Sequence, residues 1–415
     1  MARDSGDAAH SSPVTDTNGQ DRPLRILMTN AVLTGRSGTE TLVRDMVLAL
    51  RRRGHSVVTF APVTGPAAAE IRATGSPVVT SLAPLSEVPE IIHGHHTGPT
   101  IAALVRFPGT PAVFACHDFA SDQDAPPVHP RIRRYLYVRS VLRGRLVDEN
   151  GLPPSRVTFW PNTIDLKRVG SAAPAPVKLH TAAIFAHPGT IPFANLIAEA
   201  CERRGIGFRG ELVAKATDDV VRRLEGVDLV FASGRMALEA LANGRAVINA
   251  DRFGIGGLVT RQRLNGFAAV NFAYGALSEA ASPEILDREI AAYRPDDAAG
   301  VTQHVRRNFN SDEGARQLEA IYRAVLSERD WPRKVASEED LALAAILETF
   351  LQQNRIFDPR FIKLREGVGP SEEFHFAMGE LSGRTAELAA EVRKLRRGGP
   401  FRSLLELLAG KNTRR

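Results

Sequence analysis

The side chains best able to do chemistry in this chain cluster after apolar runs. His93, His95 and His96 follow Glu90–His93, and His117-Asp118 follows Pro111–Cys116. Ligands of open parallel sheets bind beyond the carboxyl ends of the strands, which makes His117 and Asp118 the candidate catalytic pair. The alternative is a loop histidine hydrogen-bonded to backbone. Zinc on His93, His95 and His96 would need an outside ligand, because adjacent histidines after a strand do not converge on one ion, and no metal is expected. Asp122-Gln123-Asp124 spells a metal–nucleotide signal, but in an acidic, Pro-rich loop it reads as a solvated stretch. Gly35, Ser37 and Gly38 form a turn that opens a helix. Such a turn either presents backbone N–H groups to a phosphate or a sugar hydroxyl, or serves only the tight bend.

The elements that must position these groups alternate. Leu24–Thr29 is a strand run, Glu40–Arg53 a helix with one apolar face, Gly54 its stop, and Ser56–Phe60 the next strand. Further strand runs are Pro77–Leu82, Glu90–His93, Pro111–Cys116 and Arg156–Trp160. Pro-rich Ala172–Val177 reads as an interdomain linker. A second alternating half follows: strand Thr181–Ala186, helix Phe193–Arg204, strand Asp228–Ala232, helix Arg235–Ala242 stopped by Gly244, and strand Ala246–Ala250. Two Rossmann-like halves of this kind face each other across a cleft, a usual place for a small-molecule site.

With 415 residues there is room for two or three domains. Hydrophobic residues at 43% and charged residues at 24% exclude a mainly disordered chain. No run is long and apolar enough for a transmembrane helix, and Met1–Arg22 lacks the apolar core of a signal peptide. Cys116 and Cys201 cannot build a disulfide framework or a cysteine zinc site, so a cytoplasmic protein is expected. The net charge of +6 is dispersed, and nucleic acid is not an expected partner. The clusters Arg51–Arg53 and Arg131–Arg134 read as solvated helix ends or phosphate-neutralising surface. The expected division is a disordered leader over 1–22, Rossmann-like domains over 23–170 and 171–330, and a helical extension over 331–415.

Between about residues 23 and 330 the motifs resemble those of the GT-B glycosyltransferases, specifically glycosyltransferase family 4. The resemblance rests, in order, on GRSGTE at Gly35–Glu40, His117 after its strand, GLPPSRVTFWPNTID at Gly151–Asp165, DLVFASGRMALEALANG at Asp228–Gly244, and GIGGLVT at Gly254–Thr260, taken as a loop. It implies transfer of a hexosyl group, of the retaining type, from a nucleoside-diphosphate sugar to an acceptor hydroxyl, without metal or further cofactor. By the same resemblance, Glu239 grips the two ribose hydroxyls, Gly38 approaches the donor, His117 lies near the transferred sugar, and Gly256 and Gly257 face the donor through their backbone. Gly234 opens the helix of Glu239.

Two departures qualify this. The family's second glutamate, eight positions before Glu239, is here Phe231. Its Arg/Lys pair after the first strand of domain two has only His187 in the stretch Ala186–Thr190. Arg235 at the helix start, backed by Arg261 and Arg263, is the substitute cation for the diphosphate. These departures keep two other readings open: a sugar-nucleotide epimerase or hydrolase of the same build, and a catalytically idle binding module. The acceptor, whether glycan, lipid-linked or small molecule, is not written in the motifs.

The tail reads as helical. Ser337–Gln353 begins with acidic residues, and Phe374, Met378, Leu381, Thr385, Leu388, Val392 and Leu395 form a heptad seam. That seam either packs on the chain's own body or pairs two copies as a homodimer. Phe401–Leu408, leucine-rich in a basic setting, either docks on protein or lies on an anionic membrane surface.

Overall fold

The structure, a computed structural model, describes residues 22–35, 38–118, 122–186, 191–213, 220–273, 276, 279–328, 336–337 and 340–341. The expected leader, the His187–Thr190 stretch, the Phe374–Leu395 seam and the Phe401–Leu408 helix lie outside these residues. The first half runs β1 (Arg25–Thr29), β2 (Val32–Leu33), α1 (Gly38–Arg52), β3 (Ser56–Phe60), β4 (Val63–Thr64), α2 (Pro66–Ala73), β5 (Val78–Val79), β6 (Ile91–His95), α3 (Thr97–Arg106), β7 (Ala112–Cys116), β8 (Ile132–Tyr137), α4 (Leu142–Gly144) and β9 (Val157–Phe159). The second runs α5 (Leu166–Val169), β10 (Thr181–Ala186), α6 (Ala194–Arg203), β11 (Gly207–Val213), α7 (Val220–Leu224), β12 (Leu229–Ala232), α8 (Gly234–Ala242), β13 (Ala246–Asp251), β14 (Gly254–Leu258), α9 (Leu264–Ala269), α10 (Pro283–Ala291) and α11 (Pro295–Asn308). Last comes α12 (Ser311–Glu328).

The first sheet is seven-stranded and wholly parallel, in the order β5-β3-β1-β6-β7-β8-β9, with β2 and β4 forming a small parallel pair beside it. The second has the order β11-β10-β12-β13-β14 and is parallel except for β14. Central strands such as β7 (AVFAC) and β12 (LVFA) are buried at every position, as parallel strands covered on both faces must be. Helix α1 packs Leu42, Val43, Met46, Val47 and Leu50 into the first core and stops at Gly54, whose φ of +89° only glycine adopts without strain. These are the two Rossmann-like halves that the alternating pattern implies.

Three expectations change. Arg131–Arg134 is no solvated cluster: it enters β8, and Arg131 spends its guanidinium on the carbonyls of Leu104, Phe107 and Thr110, while Arg133 pairs with Glu328. Gly254–Leu258 is a buried antiparallel strand, not a loop. The chain crosses between the halves before the Pro-rich stretch, since Trp160 belongs to the first core and Ile164 to the second, while Ala173 and Pro176 already bond to the second half.

The sequence boundary at 330 groups α12 with the second half, but its apolar residues Ala315, Leu318, Tyr322 and Val325 complete the first core against α1. Arg52–Asp312 and Arg53–Glu319 ion pairs flank that contact. The two crossings lie side by side, with Ile164 N–H donating to Phe309 O and Ser311 N–H to Ile164 O at 2.9 and 2.8 Å.

Candidate active site

The carboxyl ends of β1, β6 and β7 deliver the loops of the first half, and those of β12 and β13 deliver the loops of the second. β6 places His93 and His95 on one face, two residues apart, as the strand period requires. Gly94 between them faces α3, where a Cβ would come within 2.4 Å of Thr100 Oγ1, so only glycine fits there. The His93 and His95 rings stack at 4.5 Å and 3°, and His95 stacks on His117 at 4.9 Å and 12°. His95 Nδ1 and His117 Nε2 are 2.7 Å apart. At the far end His93 Nδ1 is hydrogen-bonded to Tyr322 OH, and Trp160 closes edge-on at 6.0 Å.

His96 turns away from this column at a φ of +63°, and its Nδ1 accepts Ala31 N–H at 3.1 Å. The three histidines therefore point at no common ion, and among the described residues no group of three or more His, Cys, Asp or Glu side chains could hold one. Burial holds all of these rings neutral. It takes His93 down to about 3 and His96 to about 4, and puts His95 and His117 well below the ordinary histidine value.

Asp118 is bound to Arg139 at 3.2 Å, and its carbonyl accepts Arg145 at 2.8 Å. The Asp122–Asp124 stretch is a short 3-10 turn whose last residue is not solvated: Asp124 is buried, with its carboxyl accepting His117 N–H. Burial, despite that bond, pushes its carboxyl up to about 7.

On the other side, Gly234 starts α8 at a φ of +57°, with open space where a Cβ would stand. Arg235 follows with every guanidinium nitrogen engaged. Nε donates to Glu239 Oε1 at 3.0 Å, Nη1 to Thr163 O at 2.8 Å, and Nη2 to Asp45 Oδ2. Glu239, buried, also accepts from Arg168 at 2.9 Å. Asp45, on α1 of the first half, also takes a two-nitrogen grip from Arg44, which reaches Glu70 at 2.8 Å. Burial would raise the Asp45 carboxyl, but Arg235 and Arg44 together hold it below the carboxylate range. Three arginines are thus set against Asp45, Glu239 and the half-exposed Glu70, in one cluster spanning both halves.

Asp45, Arg44 and Arg168 were not singled out by motif. The signal available was a charged Arg44-Asp45 pair within a helix whose flanking positions are all core. Asp251, at the end of β13, was also missed; burial raises its carboxyl against hydrogen bonds from Phe253 N–H, at 2.8 Å, and from Ser233.

Other expected positions differ in kind. Gly38 opens α1 with no atom near its missing Cβ. Gly256 and Gly257 are packed against this chain itself, since a Cβ on Gly256 would lie 2.5 Å from Ala276 O, and one on Gly257 the same distance from Glu289 Oε2. Arg263 bonds Glu289 and Arg261 bonds Asp297, which leaves both committed within the second half. Phe231 is fully buried in β12 among Ile184, Leu229 and Ile248, so its position belongs to the core and not to the cleft.

Residues 36–168 match the family model described as Glycosyltransferase Family 4. No curated protein matches the chain. Among solved structures it is similar to a glycosyltransferase from Rickettsia africae ESF-5, at 11% identity and a TM-score of 0.51 over 74% of this chain and 99% of that one. It is also similar to the catalytic domain of starch synthase IV from Arabidopsis thaliana bound to ADP and acarbose, at 12% identity and a TM-score of 0.45 over 74% and 100%. At 11% identity the likeness to the Rickettsia structure is one of fold. Among the described residues no helix is long and apolar enough to cross a membrane. The chain thus has the GT-B glycosyltransferase fold, and its first half carries the Glycosyltransferase Family 4 match over residues 36–168.

Proposed function

We propose that the protein is a cytoplasmic glycosyltransferase that moves a sugar from a nucleoside-diphosphate donor to an acceptor hydroxyl. The observation that carries this reading is the start of α8. An unobstructed Gly234, Arg235 and Glu239 stand there on one helix, facing α1 of the other half. A carboxylate accepts two hydroxyl hydrogen bonds, which suits Glu239 to a ribose. The leaving diphosphate gains negative charge as the glycosidic bond breaks. The α8 N-terminus and Arg235 are the groups placed to stabilise it. Asp45 holds Arg235, so a diphosphate must take over that guanidinium from a carboxylate.

A panel of uridine, guanosine, thymidine and adenosine diphosphate sugars, read by thermal shift, is expected to show stabilisation by one nucleotide class. Glu239→Gln should then weaken that nucleotide by about 1.5–3 kcal/mol, roughly 10- to 150-fold. Arg235→Gln should weaken the nucleoside diphosphate far more than the bare nucleoside. Equal affinities for parent and Glu239→Gln would sink the site assignment.

A second reading, a binding module without turnover, is favoured by one observation: Glu239 and Arg235 already satisfy each other, Asp45 and Arg168. A nucleotide sugar that binds and is recovered intact after long incubation with candidate acceptors would select it. Product analysis likewise separates transfer from epimerisation or hydrolysis.

A further inference from the structure

We propose that His95 is a positioning residue that fixes His117 as the tautomer protonated on Nδ1, so that His117 meets its ligand as a hydrogen-bond donor and not as a base. The argument starts from the single hydrogen bond between the two rings, 2.7 Å from His95 Nδ1 to His117 Nε2. Two neutral imidazoles share one proton across such a contact, and two assignments exist. If His117 donates, His95 must carry its own proton on Nε2. That atom is buried and has no hydrogen-bond partner among the described residues. The result is an orphaned N–H in a dry core, among the rarest and costliest of unpaired groups. If His95 donates from Nδ1, its Nε2 keeps only an unshared lone pair, which is the milder loss. The proton of His117 is then on Nδ1.

The surroundings permit no third state. A charged imidazolium would be stacked face to face within a run of three rings, beside Trp160 and Tyr322, and among the described residues no carboxylate forms an ion pair with any of the three rings. His95 itself cannot turn to invert the contact: it is fully buried, held between the His93 and His117 rings, and its strand is paired on both sides. His93 is tied in turn to Tyr322 of α12, which anchors the column from the far end. His117 is partly exposed where β7 ends, and Nδ1 is the ring nitrogen left for a ligand. An N–H there suits an oxygen acceptor such as a sugar hydroxyl or a ring oxygen. It cannot deprotonate an acceptor alcohol. Only the ligand's identity rests on the glycosyl-transfer reading; the tautomer does not.

The test is long-range 1H–15N correlation on the full chain labelled at histidine, at pH 7.5, with the two rings assigned from spectra of His95→Asn and His117→Asn. The expected pattern is pyrrole-type Nδ1 and pyridine-type Nε2 in both rings. In His95→Phe, which keeps an aromatic ring in the stack but offers no donor, the His117 signal should move toward the Nε2-protonated form. A parent spectrum with His117 protonated on Nε2 overturns the proposal, and so does a His117 tautomer unchanged in a folded His95→Phe. If that variant does not fold, the parent spectrum decides alone. A nucleotide-sugar panel without any binder, beside an Nδ1-protonated His117, would refute the functional reading and leave this inference standing.

Discussion

Replacing Tyr322 with alanine is expected to cost the first half about 3–5 kcal/mol of stability, the usual price of emptying an aromatic site in a packed core. Tyr322 is fully buried, 229 positions from the His93 ring it bonds, and with Ala315, Leu318 and Val325 it completes a core otherwise built from residues before 161. Tyr322→Phe keeps the ring and leaves His93 Nδ1 unpartnered, a smaller loss of about 1–3 kcal/mol. Trp160 is packed against His93 in the same core, so urea unfolding followed by its fluorescence in a Trp331→Phe background reports on this half. The expected order of midpoints is parent, Tyr322→Phe, Tyr322→Ala. A Trp160 transition that Tyr322→Ala leaves in place would show that α12 does not complete the first core.

The second large effect is on acid stability. His93, His95 and His96 are buried and His117 and His129 partly so, and desolvation pushes the folded values of all five below the ordinary one, to about 3 for His93 and about 4 for His96 and His129. Groups depressed in this way contribute stability above the unfolded value near 6.5 and lose it as pH falls, because the unfolded chain takes up protons that the folded one refuses. Asp124 acts in the opposite sense: its carboxyl is raised to about 7, so its contribution is complete at low pH and fades as pH rises through 7. The net expectation between pH 7.5 and 5.5 is a loss of stability, because the depressed histidines, His55 among them, outnumber the one raised carboxyl. Asp124→Asn should steepen that acid loss while stabilising the protein at pH 8. Urea midpoints that do not change between pH 7.5 and 5.5 would mean that the histidine column is open to water or protonated in place.

The strands and helices with clean periodicity were readable: Ser56–Phe60 and Thr181–Ala186 are bounded in the structure as the pattern bounds them, and Glu40–Arg53 differs by two residues at its start and one at its end. β8 was not readable, because IRRYLY carries two arginines that look solvated. Both pair with Glu328, and Arg131 just before them donates to the carbonyls of Leu104, Phe107 and Thr110, partners distant in sequence. The same limit hid the cleft. Arg235 and Glu239 could be picked from a local motif, whereas Asp45, Arg44 and Arg168 become part of the cluster only when α1 meets α8. Asp124 looked like a solvated loop residue since nothing local says that its turn folds under His117. The stacking of His93, His95 and His117 was legible only in part, as period-two spacing on one strand and a neighbour on the next.

Because α12 closes the first core, the order in which the halves can mature on the ribosome is inverted. Synthesis finishes the sheet from β1 to β9 early, yet the surface that receives Leu318, Tyr322 and Val325 stays uncovered until the last described helix emerges. The second half, from β10 to α11, is contiguous and can close its own core first. At roughly 5–20 residues per second, the nascent first half waits on the order of 10–30 s with apolar side chains and the His93 ring exposed. A chain that ends before residue 328 is therefore expected to self-associate through the uncovered face of α1.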